Sequence, residues 1–131
     1  MEGPDNNQYS NLPPLALAYI GDAVYELAVR EHLLKSGACK VGELHDKAVA
    51  YVRAERQSAL VAEIETLLSA EELEVFRKGR NAKGSHQPPH ASVGAYRRAT
   101  GLEALIGYLY LRGERERLDR IFAVLFGAEE G

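Results

Sequence analysis

Apolar residues recur at intervals of three and four along most of the chain, whereas runs that alternate apolar with polar residues are scarce. That periodicity belongs to helices rather than strands, and it predicts an all-α fold. A first helix spans about Pro14 to Lys35, with prolines tolerated at its start and Ser36-Gly37 stopping it. Val41 to Leu68 divides into two helices. The first of these carries Leu44, Ala48, Tyr51 and Val52 on one face, and the second carries Ala59, Leu60, Ala62, Ile64 and Leu67. Ser69 followed by Glu72 has the capping-box spacing and opens a helix running toward Lys78. The stretch GRNAKGSHQPPHASVG, residues 79–94, has adjacent prolines and no apolar period, so it reads as a long loop of the kind that is usually functional or mobile. A helix resumes near Ser92 and runs through YRRATGLEALIGYLYL to Arg112, and a last one spans Glu114 to Phe126, stopping at Gly127.

At 131 residues the chain fits one domain with a single core. Residues 12–126 carry the helical pattern, between an N-terminal tail at 1–11 and a C-terminal tail at 127–131. A 46% hydrophobic and 27% charged composition places it among globular rather than disordered chains. The single cysteine, Cys39, excludes an internal disulfide, and a reducing cytoplasm is the simplest setting. The polar start MEGPDNNQYSNLPP is not a signal peptide, and the apolar segments are too interrupted to span a bilayer, so no membrane association is expected.

The overall charge of −3 conceals a segregated distribution. Between Val75 and Leu102 stand Arg77, Lys78, Arg80, Lys83, Arg97 and Arg98 with no acidic residue, leaving ten basic and nineteen acidic residues in the remainder. Surfaces without a charged partner usually mix signs, and a positive segment on an acidic body fits a polyanion. Solvated loops also carry such runs. Nucleic-acid backbone is the polyanion that Arg and Lys on a glycine-containing loop can follow most closely.

Two carboxylates stand out against apolar surroundings. Asp22 follows Gly21 inside LALAYIGDAVYELAV, and Glu103 is the one charge in GLEALIGYLYL. A carboxylate taken out of water unpaired costs several kcal/mol, so both call for a cap, a basic partner, a solvent-lined cleft or a cation. Asp22 lacks capping-box spacing, since Tyr25 follows three residues on, and Glu103 lies five residues from Arg98, a poor offset for a helix-surface pair. Glycine is costly inside helices, so Gly21 and Gly101 point to close packing that brings two apolar helices, and their carboxylates, together. An ion-pair network would bury such carboxylates equally well. The alternative is Mg²⁺, which takes oxygen ligands, keeps several waters and is often held by one or two carboxylates plus substrate phosphates. His32, His45, His86 and His90 lack metal-ligand spacing and read as surface or RNA-contact residues, and Cys39 has no partner for nucleophilic chemistry. Paired acids beside a basic segment point to metal-assisted phosphodiester hydrolysis.

YIGDAVYEL at 19–27 resembles the signature of the ribonuclease III catalytic domain, and EALIGYLYL at 103–111 resembles its second carboxylate motif. LHDKAVAYV, RKGRNAK and YRRATGLEALIGYLYL are similar to the short branch known as Mini-ribonuclease III, which lacks a double-stranded-RNA-binding domain; the likeness covers residues 12–126 in order and spacing. The resemblance implies a ribonuclease III catalytic-domain-like helical bundle acting as a homodimeric, Mg²⁺-dependent endonuclease on double-stranded RNA. It also implies maturation of 23S ribosomal RNA precursor ends, with a ribosomal protein that presents the substrate as a candidate further partner. Asp22 and Glu103 fall on the family's catalytic, metal-holding acids. Ala18 and Thr100 stand where full-length ribonuclease III carries two more carboxylates, so the ion count is open between one and two.

On this reading Asp22 and Glu103 hold the metal, and Arg77, Lys78, Arg80, Asn81, Lys83, Arg97 and Arg98 bind RNA. Glu26, one turn after Asp22, is a candidate helper. The rival is a catalytically silent relative serving as an RNA-binding or ribosome-assembly protein, and a helical homodimer without a nucleic-acid role is the third reading. The apolar first helix is the expected dimer interface.

Overall fold

A computed structural model of the chain describes residues 11–37, 40–52, 54–82 and 93–127, with the backbone alone over 50–52 and 54–59. Six helices and no strand occur among the described residues: α1 (Pro14–Lys35), α2 (Val41–Val52), α3 (Ala54–Glu65), α4 (Ala70–Asn81), α5 (Val93–Leu111) and α6 (Arg115–Gly127). Helix α5 is the axis. Its residues Ala99–Leu102 and Ala104–Leu109 are buried, and α1, α4, α3 and α6 pack around it. Among the described residues no helix is long and apolar enough to cross a membrane.

Local chemistry sets the boundaries. Pro14 occupies the first turn of α1, and Gly37 follows its end with φ +99°, a conformation that glycine adopts without strain. Gly113 makes the turn between α5 and α6 with φ +73°. Ser69 caps α4 with both capping-box bonds in place: the Glu72 amide donates to Ser69 Oγ at 3.2 Å, and the Ser69 amide donates to Glu72 Oε1 at 2.8 Å.

Three readings of the sequence require correction. The helix that opens at Ser69 does not stop near Lys78 but runs through Asn81, so Gly79, Arg80 and Asn81 are helical rather than looped. Gly79 is buried there because α4 crosses α5 at that point. The rest of the expected loop, from 83 to 92, and Cys39 with it, lie outside the described residues. On α3 Ile64 is buried and Leu60 packs against the core as expected, but Val61 rather than Ala62 completes the stripe, because Val61 and Ile64 lie three apart on one face and Ala62 turns to solvent. The third correction concerns His32, which is half-buried with its ring stacked on Phe126 at 4.7 Å, joining the aromatic cluster of Tyr25, Phe122 and Phe126. It is a packing residue, because an imidazole offers the Phe126 ring a flat partner.

Candidate metal and nucleic-acid site

Backbone meets backbone where α1 crosses α5. A Cβ added to Gly21 would lie 1.7 Å from the carbonyl oxygen of Glu103 and 2.9 Å from the amide nitrogen of Gly107. Reciprocally, a Cβ on Gly107 would lie 2.0 Å from the Leu17 carbonyl oxygen. No side chain fits between these helices at those points. Asp22, next to Gly21, and Glu103, whose own backbone Gly21 touches, therefore issue from one crossing. Gly107, rather than Gly101, is the α5 glycine that admits α1.

Gly101 serves the other face of α5. A Cβ there would lie 2.7 Å from the Phe76 carbonyl oxygen and 2.9 Å from its ring, and one on Gly79 would lie 2.7 Å from Ala104 Cβ and 3.2 Å from the Thr100 carbonyl oxygen. This second crossing seats the last turns of α4 against residues 100–104 of α5. Glu103 thus lies on the stretch of α5 that receives α1 at one crossing and the basic end of α4 at the other.

Asp22 is exposed, the solvated case among the alternatives its apolar neighbours left open, and it has no hydrogen bond or ion pair with another described residue. The buried stripe of α1 is Leu17, Ala18, Gly21, Tyr25, Val29 and Leu33, and Asp22 stands beyond its edge. No desolvation penalty has to be offset in the protomer. Glu103 is half-buried. Glu26 pairs with Arg30 at 3.7 Å, one helical turn on. Ala18 and Thr100 are both buried, and the Thr100 hydroxyl donates to the Tyr96 carbonyl at 2.9 Å. No group of three or more His, Cys, Asp or Glu side chains suited to a metal occurs among the described residues.

The predicted RNA-binding residues divide by surroundings. Arg77, Lys78 and Asn81 on α4 and Arg97 and Arg98 on α5 are exposed, and Lys83 lies outside the described residues. Lys78 Nζ pairs with Glu74 at 3.3 Å. Arg80 is half-buried, its guanidinium 6.0 Å from the centre of the Phe76 ring and its Nε donating to Asn81 Oδ1 at 3.2 Å.

Behind the site, two arginines fasten the N-terminal end of α4. Arg112 Nη1 donates to Glu71 Oε1 at 2.5 Å, and the Tyr108 hydroxyl donates to the same carboxylate. The Tyr108 hydroxyl and Arg112 hold the Glu71 carboxyl below its ordinary range, against the upward push of burial. Burial raises the Tyr108 phenol, and the neighbouring Glu71 adds to the rise. Arg117 grips Glu72 with Nε to Oε2 and Nη2 to Oε1, both at 2.7 Å, and donates to the Leu67 carbonyl. Sequence reading missed these residues, as it missed Gly107, Gly79 and Phe76. A glycine four positions after Glu103 was a legible signal for the first glycine, but the hydrogen-bond partners of Glu71, Glu72 and Leu67, 37 to 50 residues away, leave no local trace.

The described residues form an all-helical bundle with two acids beside one glycine crossing and a basic helix end beside another. The ribonuclease III domain family matches residues 15–114. The Mini-ribonuclease 3 of Symbiobacterium thermophilum is 49% identical over 110 residues, which cover 84% of this chain and 85% of that one. The Mini-ribonuclease 3 of Brevibacillus brevis is 44% identical over 118 residues, 90% of this chain and 88% of that one. A crystal structure of a Fusobacterium nucleatum protein has a TM-score of 0.82 at 31% identity, covering 91% of this chain and 95% of that one. The chain belongs to the ribonuclease III domain family, in its Mini-ribonuclease III branch, and is an endoribonuclease.

Proposed function

We propose that the protein cleaves double-stranded RNA with Mg²⁺ held by Asp22 and Glu103, acting as a cytoplasmic homodimer that matures the ends of 23S ribosomal RNA precursor. Residues 12–126 are the catalytic unit in this reading. The observation that carries it is the Gly21 contact with the Glu103 backbone, which ties the two acids to one rigid crossing.

The donor set suits Mg²⁺. Asp22 is open to solvent and engaged by no described residue, so its oxygens are available. A chain that offers few carboxylates suits an ion that completes its shell with water and substrate phosphate, and suits zinc poorly. When bound, Mg²⁺ activates a water for attack on the phosphodiester and offsets the charge that develops there. Asp22 and Glu103 orient that centre from α1 and α5. The end of α4 grips the duplex backbone through Arg77, Lys78, Arg80 and Asn81, with Lys83, Arg97 and Arg98 extending the basic track. Phosphate contacts carry no base information, so the duplex is selected by shape.

Incubation of the purified protein with a long RNA duplex in Mg²⁺ or in EDTA tests the reading. Cleavage is expected in Mg²⁺ alone and is expected to be lost in Asp22→Asn and Glu103→Gln. Equal cleavage by Asp22→Asn would refute the assignment, and an intact duplex with wild-type protein would favour a silent RNA-binding role. The ribosomal substrate is tested separately: cells without the protein should accumulate 23S precursor with unprocessed ends.

A further inference from the structure

We infer that Arg80 is the fixed phosphate anchor of the basic track and that Phe76 is its positioning residue. The inference rests on the duplex-nuclease reading and adds to it a distinction among its cations.

A long cationic side chain loses rotamer freedom when it captures a phosphate, and that loss weakens each contact made by a flexible surface arginine or lysine. Arg77 and Lys78 are exposed, and Lys78 must also leave Glu74 to reach a new anion. Arg80 differs in three respects. It is half-buried, its guanidinium lies over the Phe76 ring, and its Nε bonds Asn81 Oδ1. An aromatic face and one amide acceptor hold the planar fork while its remaining N–H groups stay available for an anion.

The ring itself is buried and closely packed. Phe76 is 2% exposed, and its ring rests against Gly101, where any side chain would displace it. A chain of contacts therefore runs from the α5 backbone at Gly101, two residues before Glu103, through the Phe76 ring to the Arg80 guanidinium 6.0 Å from the ring centre. This chain of contacts biases one positive charge toward one place relative to the proposed metal site. An ammonium could keep that charge but could not present a planar fork or donate from an Nε position.

Binding of an RNA duplex in EDTA, measured across a salt series, tests this without cleavage or metal. Arg80→Ala should weaken binding and reduce the slope of log affinity against log salt by about one, the loss of one phosphate contact. Arg80→Lys should keep the wild-type slope yet bind roughly two- to fivefold more weakly, because charge is retained and stacking is lost. Phe76→Leu should weaken binding by a similar factor when Arg80 is present and have no effect in the Arg80→Ala background. Wild-type affinity in Arg80→Lys, or an equal effect of Phe76→Leu in both backgrounds, would overturn the inference and leave the nuclease reading standing. Wild-type protein without salt-dependent duplex affinity would instead overturn the nuclease reading. If Phe76→Leu fails to fold by circular dichroism, the comparison of Lys with Ala at position 80 decides alone.

Discussion

Gly21 and Gly42 are both helical glycines, yet they answer to different forces. The missing Cβ of Gly21 is what admits the Glu103 carbonyl, whereas a Cβ at Gly42 would meet nothing within 4 Å. Gly21→Ala must push α1 away from α5 along their shared core, and a loss of about 3 kcal/mol or more is expected in urea unfolding, at the upper end of overpacking costs. Gly42→Ala removes conformational entropy from the unfolded chain at no steric cost, and should be neutral or stabilising by up to about 1 kcal/mol. The same pair separates the site from the scaffold: only the first substitution disturbs the carboxylate geometry, so only it should abolish cleavage by protein that remains folded. Asp22 illustrates the limit of reading residues one at a time. An aspartate among apolar neighbours looks buried in a linear sequence, but a helix turns 100° per residue, and one position decides between core and solvent.

At the scale of elements, three helix ends are joined by one carboxylate. Glu72 completes the α4 capping box, and Arg117 from α6 grips it while bonding the Leu67 carbonyl at the end of α3. Burial pushes the Glu72 carboxyl upward, but Arg117 and Ser69 together outweigh it and leave the pKa below its ordinary value. A depressed folded pKa contributes stability that is complete above the ordinary glutamate range and is lost as pH falls through that range toward the folded value. Arg117→Met, which leaves Glu72 unpaired and largely buried, should therefore cost about 2–3 kcal/mol near neutral pH and distinctly less near pH 3. Urea titrations of both proteins at the two pH values check the sign. Ser69→Ala should cost about 1 kcal/mol through loss of the cap alone. The cap was legible because its two partners lie three residues apart, and the same locality made the helix spans legible from apolar period, Pro14 and Gly37. Arg117 was not, since its partners come from other helices. The basic end of α4 was half legible: its charges were plain, but Gly79 suggested a loop until the crossing with α5 gave that glycine a reason to be helical.

In the whole molecule, among the described residues, α1 exposes a row of side chains on the side away from α5. Leu12, Ala16, Tyr19, Ala23, Leu27, Arg30 and Leu34 are exposed and follow one another at spacings of three and four, with Tyr19 80% and Leu27 59% exposed. This row is mainly apolar, interrupted by Arg30, and it gives α1 two apolar stripes: one is consumed by α5, and the other is available to a second copy. A two-fold pairing through this row would be isologous, since each Tyr19 and Leu27 would contribute to both halves of the contact. It would also set two Asp22-bearing helices against one another, and so two sites on one duplex, one for each strand. The dimer proposed for the enzyme thus gains a specific surface. Sedimentation should show a dimer at micromolar concentration, and Tyr19→Asp or Leu27→Glu should shift it to monomer with little change in the protomer's unfolding, because neither side chain enters the core. Duplex cleavage should fall more than tenfold in those variants while the affinity of each protomer for Mg²⁺ persists. Dimers that survive both substitutions would move the interface to another face. Monomeric variants with full cleavage would show that one protomer suffices to cut.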